Sequence, residues 1–267
     1  MANAASNRIA DNKPGDGYVQ SFARGLEVIR SFSASAPRQT LTEVAGRSGL
    51  SRAGARRILL TLQALGYVHV EGKLFSLTPR ILDLGFAYLS SMPIWNLAEP
   101  VMEALAGQVK ESCSAAVLDG TDILYVIRVS THKIMKINLN VGSRLPAYCT
   151  SLGRMLLSAL PEDELMQRLQ ASERIALTKH TATDIGELAA RIALARRQGW
   201  ALVNQELEEG LVSMAAPITN RSGQTVAALN ISGQANRTSA KAMHDTMLPQ
   251  LLAAARTVSG LLAAQRN

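Results

Sequence analysis

The feature that most constrains this chain is a pair of short amphipathic segments joined by a tight turn that contains one glycine. Around Thr42–Ser48, Leu41, Val44 and Ala45 point to one face. From Ser51 to about Leu65, Ala55, Ile58, Leu59, Leu62 and Leu65 recur at spacings of three and four and form an apolar stripe. Gly49 lies between them, where a tight turn needs a residue tolerant of positive φ. Leu50 plugs the turn, and Ser51 is placed to cap the second helix. Helices this short bury their stripes only against a further element. An upstream helix, Phe22 to Phe32 with Ser21 as its cap, offers Leu26, Ile29 and Phe32, and Ser33–Gln39 with Pro37 ends it. Downstream, Gly66–Val70 and Leu74–Leu77 alternate around Glu71-Gly72-Lys73, a hairpin in the position of a wing. Residues 18–78 therefore read as a winged helix-turn-helix.

Charge agrees with this placement. The chain holds 28 Lys/Arg against 21 Asp/Glu, and residues 1–80 alone hold eleven against five, so nearly all of the net +7 lies in the first third. A solvated basic surface and a phosphate footprint both fit that imbalance; the helix pattern favours the second. In a helix-turn-helix the last helix enters the major groove with its N-terminal residues first. The candidate DNA-contacting residues are thus Ser51, Arg52, Ala53, Gly54, Arg56, Arg57 and Thr61, with Lys73 at the wing tip. Small side chains at Ala53 and Gly54 allow a close approach to bases or a thymine methyl, and each arginine can reach a guanine edge or a phosphate.

The remainder reads as α+β. Met1–Gly17 is a polar arm without an apolar core, so it is not a secretory signal. Thr78-Pro79 starts a linker helix, residues 79–92, too apolar to stand alone in water. Residues 93–267 form the second domain. It opens with a helix from Leu97 to about Glu111 capped by Asn96. Strands follow at Cys113–Leu118, Ile123–Val129 and Lys133–Leu139. After a Gly142–Pro146 loop come helices from Ser151 to Leu160, from Pro161, and from Asp184 to Gln198. Strands at Trp200–Gln205, Val212–Ile218 and Thr225–Ile231 precede a long helix, Ser239–Ala264. The expectation is a mostly antiparallel sheet with flanking helices.

No catalytic constellation is visible: there is no nucleophile elbow, phosphate-binding glycine loop or metal-spaced ligand set, so no cofactor or metal is expected and the chain is not read as an enzyme. Cys113 and Cys149 lack partners at metal or redox spacing, which fits a reducing cytoplasm. Cys149 with His180 and Glu206 makes a nucleophile set only on paper, since a buried structural cysteine is the ordinary case. No run approaches the roughly 18 uninterrupted apolar residues of a membrane span, so no membrane partner is expected. Backbone N–H groups at the start of the Ser151 helix, with the hydroxyls of Tyr148, Thr150 and Ser151, suit an anion. Asn230 and Ser232 share one face of the last strand with Ala228. Arg128 is either a carboxylate partner or an edge arginine reaching solvent, and Glu206 either bonds backbone in its own loop or touches a ligand.

Several stretches together resemble the IclR family of transcription regulators. They are Thr42–Ala45 through Arg57–Leu59 with the Gly66-Tyr67 wing, Val141–Pro146, Gly153–Leu157, and Glu206–Gly210 followed by Met214–Pro217. The stretches Tyr18–Phe22, Glu111–Ser114, Val117–Gly120, Leu145–Arg154 and Asn204–Glu208 resemble the branch that regulates protocatechuate, 4-hydroxybenzoate and β-ketoadipate catabolism. The resemblance implies a GAF-like sensor and a homodimer or dimer of dimers joined partly through the Pro79–Ser90 helix. It also implies an effector held between the sheet and the loop entering the Ser151 helix, near Ser151, Leu152, Val203, Leu211 and Ser213. Val203 stands where relatives that bind small keto acids can carry an acid, and Leu152 is bulkier than usual. Both changes favour a larger, partly apolar acid over glyoxylate or pyruvate. The resulting expectation is a regulator of aromatic-acid catabolism that binds double-stranded operator DNA and answers a small carboxylic acid. The competing readings are an enzyme on aromatic acids with a basic module and a ligand-free architectural DNA-binding protein.

Overall fold

The computed structural model describes residues 17–91, 94–130 and 139–264. Most of the expected polar arm, the end of the linker segment at residue 92 and nearly all of the expected Lys133–Leu139 strand lie outside these residues. The chain divides into two compact units, residues 1–88 and 89–267.

The first unit begins with α1 (Gln20–Arg30), which starts before Ser21, so Ser21 is no cap and Val19 precedes the helix instead. A three-residue strand β1 (Arg38–Thr40) follows within a segment expected to be irregular. Thr40 then caps α2 (Leu41–Ser48) in a reciprocal box. Its hydroxyl accepts from the Glu43 N–H, and the Glu43 carboxylate accepts from the Thr40 N–H at 2.7 Å. Those hydrogen bonds to Thr40 hold the Glu43 carboxyl below its ordinary range. Gly49 adopts φ 68°, as the turn requires, and Ser51 caps α3 (Arg52–Ala64) by accepting from the Gly54 N–H at 3.2 Å. Ala55, Leu59 and Leu62 meet Val28, Val44, Ala45 and Val68 in the core. Leu65 does not belong to the stripe: it ends the helix and is exposed. The wing is β2 (Val68–Glu71) and β3 (Leu74–Leu77), and β1 pairs with β3 on its far side. Thr78 does not cap the turn Pro79–Ile81; its hydroxyl donates to the Gly66 carbonyl at 2.6 Å. Helix α4 (Leu82–Ser91) comes next.

The second unit is a six-stranded antiparallel sheet, order β6-β5-β4-β9-β8-β7. Its strands are β4 (Ser112–Asp119), β5 (Asp122–Val129), β6 (Arg144–Pro146), β7 (Ala201–Asn204), β8 (Leu211–Thr219) and β9 (Thr225–Gln234). The edge strand β6 occupies what reads as loop in the sequence. Helix α5 (Ile94–Val109) starts two residues before Asn96, because Ile94 and Trp95 bury in the core and carry the helix past that cap. With α9 (Ala240–Ala264) it covers one face of the sheet. By length and composition α9 is apolar enough to cross a membrane, yet Met243, Leu251, Ala255 and Val258 pack into this core. The other face carries α6 (Ser151–Leu157), α7 (Glu162–Ala171) and α8 (Ile185–Gln198). Alternation along each strand divides the side chains, so Leu229 and Ile231 face α5 and α9 whereas Ala228 faces α6.

Helix α6 ends three residues short of expectation and is buried over its whole length. Its seat depends on Gly153, where an added Cβ would lie 2.1 Å from the Ala147 carbonyl oxygen. That neighbour is backbone and cannot rotate away. Gly153→Ala should therefore cost more than the usual 1–3 kcal/mol of overpacking, about 3 kcal/mol or more. Urea unfolding of the full chain measures this, and a loss below about 1 kcal/mol would contradict the close approach.

Candidate effector cavity and nucleic-acid interface

Rows of paired residues cross the sheet on the α6 side. Val203, Ser213, Ser232 and Ser112 are neighbours across β7, β8, β9 and β4, and Ala215, Asn230, Ser114 and Arg128 form the next row. Small and polar side chains here leave room under the loop that enters α6. The resulting cavity is small, about 20 Å³, and is lined by Tyr125, Cys149, Thr150, Ser151, Val203, Leu207, Leu211, Ser213, Asn230 and Ser232. That is room for about one water, so a larger ligand would need the loop over the sheet to give way.

The polar groups are ordered. The Ser114 N–H donates to Asn230 Oδ1 at 3.1 Å, and a backbone N–H can only donate, so the amide orientation is set. Asn230 Nδ2 therefore donates to the Ser232 hydroxyl at 3.0 Å, and the Ser232 O–H proton has no acceptor among the described residues. Ser151 is 1% exposed, and its hydroxyl has no hydrogen-bond partner among the described residues. Such a buried orphan costs stability unless something else bonds it. Thr150 lines the cavity too, but its hydroxyl is occupied, accepting from the Gly153 N–H at 3.1 Å and donating to the Pro146 carbonyl at 3.2 Å. The start of α6 is thereby partly satisfied from within, and at seven residues the helix is a weaker anion site than its sequence suggests.

Four expected effector residues are placed otherwise. The Tyr148 hydroxyl donates to the Ile175 carbonyl at 2.7 Å and accepts from the Ile175 N–H at 3.0 Å, outside the cavity lining. Burial pushes its phenol up to about 12. Leu152 points into the core beneath α6 rather than the cavity. Arg128 lies on the cavity face but is not in the lining, and donates to the Ser114 hydroxyl at 3.2 Å. Glu206 touches no open space: Arg154 meets it two-pronged at 2.7 and 2.5 Å, Arg191 adds a third contact at 2.8 Å, and the Ala182 N–H donates at 3.2 Å. Arg154, which the sequence reading missed, is 3% exposed, as is Glu206. Tyr125, Cys149 and Leu207 are lining residues the sequence reading also missed.

On the first unit, Ser51, Arg52, Ala53, Arg56, Arg57, Thr61 and Lys73 are exposed, and Gly54 is half-buried. The ion pairs in this unit join Arg30 to Glu27 and Arg38 to Glu71, so among the described residues the cations of Arg52, Arg56, Arg57 and Lys73 remain available. The eight candidates do not share one surface. Gly54, Arg57 and Thr61 border a groove walled by Phe22, Leu26 and Ile29 of α1, whereas Arg52, Ala53 and Arg56 lie away from it.

Comparison with known proteins assigns the class. Residues 21–72 match the IclR helix-turn-helix domain and residues 86–260 the bacterial transcriptional regulator IclR C-terminal domain, so the chain belongs to the IclR family of transcription regulators. It is a DNA-binding, effector-responsive regulator and not an enzyme. The Pca regulon regulatory protein of Pseudomonas putida is 42% identical over 240 residues, covering 90% of this chain and 82% of that one. A solved transcriptional regulator from Rhodococcus sp. RHA1 superposes with a TM-score of 0.82 at 49% identity, covering 92% and 99%. The inducer-binding domain of an Acinetobacter PobR double mutant, solved with 3-hydroxybenzoic acid, gives 0.59 at 29% identity over 62% of this chain and 97% of that domain.

The two thiols offer a check on the geometry. Burial pushes both Cys113 and Cys149 up to about 12, so neither supplies thiolate near neutrality. Iodoacetamide at pH 8 should leave both unmodified in the folded chain and label both in urea, read by mass spectrometry. Rapid native labelling of Cys149 would show that the cavity is open rather than enclosed.

Proposed function

We propose that the cavity beneath α6 binds an aromatic carboxylic acid and that its occupancy alters how the helix-turn-helix units engage operator DNA. The orphaned Ser151 hydroxyl carries this reading. A buried hydroxyl without a partner among the described residues lines a cavity to which the sheet contributes Ser213, Asn230 and Ser232, amid Val203, Leu207 and Leu211. Hydroxyl and amide donors amid apolar walls suit a carboxylic acid with an apolar body, and a ring requires the cavity to widen beyond its about 20 Å³. The Pca regulon relative and the PobR domain holding 3-hydroxybenzoic acid support the same ligand class.

Arg52, Ala53 and Arg56 are the base-reading group in this proposal, with Ser51 fixing the helix start and Lys73 touching phosphate from the wing. Gly54, Arg57 and Thr61 contribute from the flank beside α1. Residues 18–78 form the DNA-binding domain, 79–92 the linker helix and 93–267 the sensor. The protein works as a homodimer or dimer of dimers in the cytoplasm, because paired recognition helices match half-sites about 34 Å apart or multiples of that distance. An acid that binds two dimer arrangements unequally shifts operator affinity, and one that binds them equally shifts nothing.

Two measurements test this. Arg52→Ala and Arg56→Ala should each weaken operator binding by about 1–3 kcal/mol where a base contact is lost. A contact to phosphate alone should instead flatten the salt slope by about one. Wild-type affinity and slope in both variants would remove α3 from the interface. Thermal unfolding with protocatechuate, 4-hydroxybenzoate, 3-hydroxybenzoate, β-ketoadipate, glyoxylate and pyruvate tests the ligand class. An acid at 100 times its Kd stabilises by about 2.7 kcal/mol. Ser151→Ala should reduce that shift while operator affinity holds, whereas a shift from glyoxylate alone would overturn the aromatic reading.

A further inference from the structure

Two loops wall the cavity and belong to segments distant in sequence. One runs from Tyr148 to Ser151 into α6, and the other follows β7 from Gln205 to Leu211, contributing Leu207 and Leu211. The second loop is not in a relaxed conformation. Gln205 sits at φ 59°, in the left-handed region that side-chain-bearing residues avoid, and Gly210 closes the loop at φ 82°. A loop entered this way persists only if its surroundings hold it.

A single buried side chain joins the two loops. Arg154 of α6 donates through Nε to the Tyr148 carbonyl at 3.0 Å and through both terminal nitrogens to Glu206, the residue after Gln205. Glu206 is further held by Arg191 from α8 and by the Ala182 N–H, while the Thr178 hydroxyl donates to the Gln205 carbonyl at 2.6 Å. Both carboxylate oxygens are thus hydrogen-bonded. A buried ion pair of this kind is a poor source of net stability, because desolvation offsets its attraction and apolar replacements often do as well. What it supplies instead is fixed geometry: the planar fork of an arginine locks two groups at a set distance and angle.

We infer that Arg154 and Glu206 are positioning residues for the effector site, setting the separation of its two walls without touching the ligand. The inference rests on the cavity being the effector site, but its structural half can be judged apart from that. The full-length chain is compared with Arg154→Lys and with the double variant R154M/E206Q, in which the amide keeps a carbonyl acceptor for the Ala182 N–H. Lysine keeps the charge but not the fork. Hydrogen exchange, thermal unfolding and 4-hydroxybenzoate binding are measured on all three.

The double variant should unfold within a few degrees of wild type. Exchange should rise at least tenfold at residues 147–152 and 205–211 while β4 and β9 stay protected, and 4-hydroxybenzoate should bind at least tenfold more weakly. Arg154→Lys should lie between. Wild-type exchange in both loops overturns the inference, as does an exchange increase spread evenly through the sheet, which marks a general stabilising role. If wild type itself does not bind 4-hydroxybenzoate, that ligand reading fails while the exchange comparison still decides whether the pair positions the loops.

Discussion

A carboxylate taken out of water must find its counter-charge within the fold, and Glu206 finds two arginines and a backbone donor. Much around the cavity follows from where that group sits. Arg154 reaches it only because α6 is sunk into the core, and α6 sinks that far only because Gly153 lets the helix backbone press against Ala147. The short loop before α6 is then pinned by Thr150 at its end and by Tyr148, whose phenol closes on Ile175. Between pinned loop and sheet remains a small cavity lined by polar side chains.

The sheet complements this by dividing its labour between faces. Leu229, Ile231, Met214 and Val212 face α5 and α9, giving that side a continuous apolar core. On the other face, the serines at 112, 114, 213 and 232 with Asn230 interrupt what would otherwise be the same kind of packing. Small polar side chains at successive cross-strand positions cannot fill the layer beneath α6, so a cavity with oriented hydrogen-bonding groups results. One sheet surface is therefore apolar throughout while the opposite one carries the polar groups.

Much of this was legible in the sequence because period and turn chemistry agree there. The stripe of Ala55, Leu59 and Leu62, Gly49 at its turn and Gly72 at the wing each state a local preference that the fold satisfies. What escaped reading had no local signature. Strand β1 is three residues long and exists because β3 offers a free edge. Asn96 looks like a cap until Ile94 and Trp95 are seen to be buried. Within α6 every residue is buried, so no amphipathic pattern distinguishes Ser151, which lines the cavity, from Leu152, which does not. Tyr125 lies on a strand apolar on both faces, and its side is invisible to alternation. Glu206 and Arg154 are 52 residues apart, and nothing in either neighbourhood announces the other.

The composition of the cavity lining has one more consequence. Its titratable members are Tyr125 and Cys149, and burial moves both to about 12; the remaining polar members are hydroxyls and an amide. Neither titratable group therefore changes the charge of the lining near neutrality. Any pH dependence of binding at this cavity would then have to come from the ligand or from groups outside the lining.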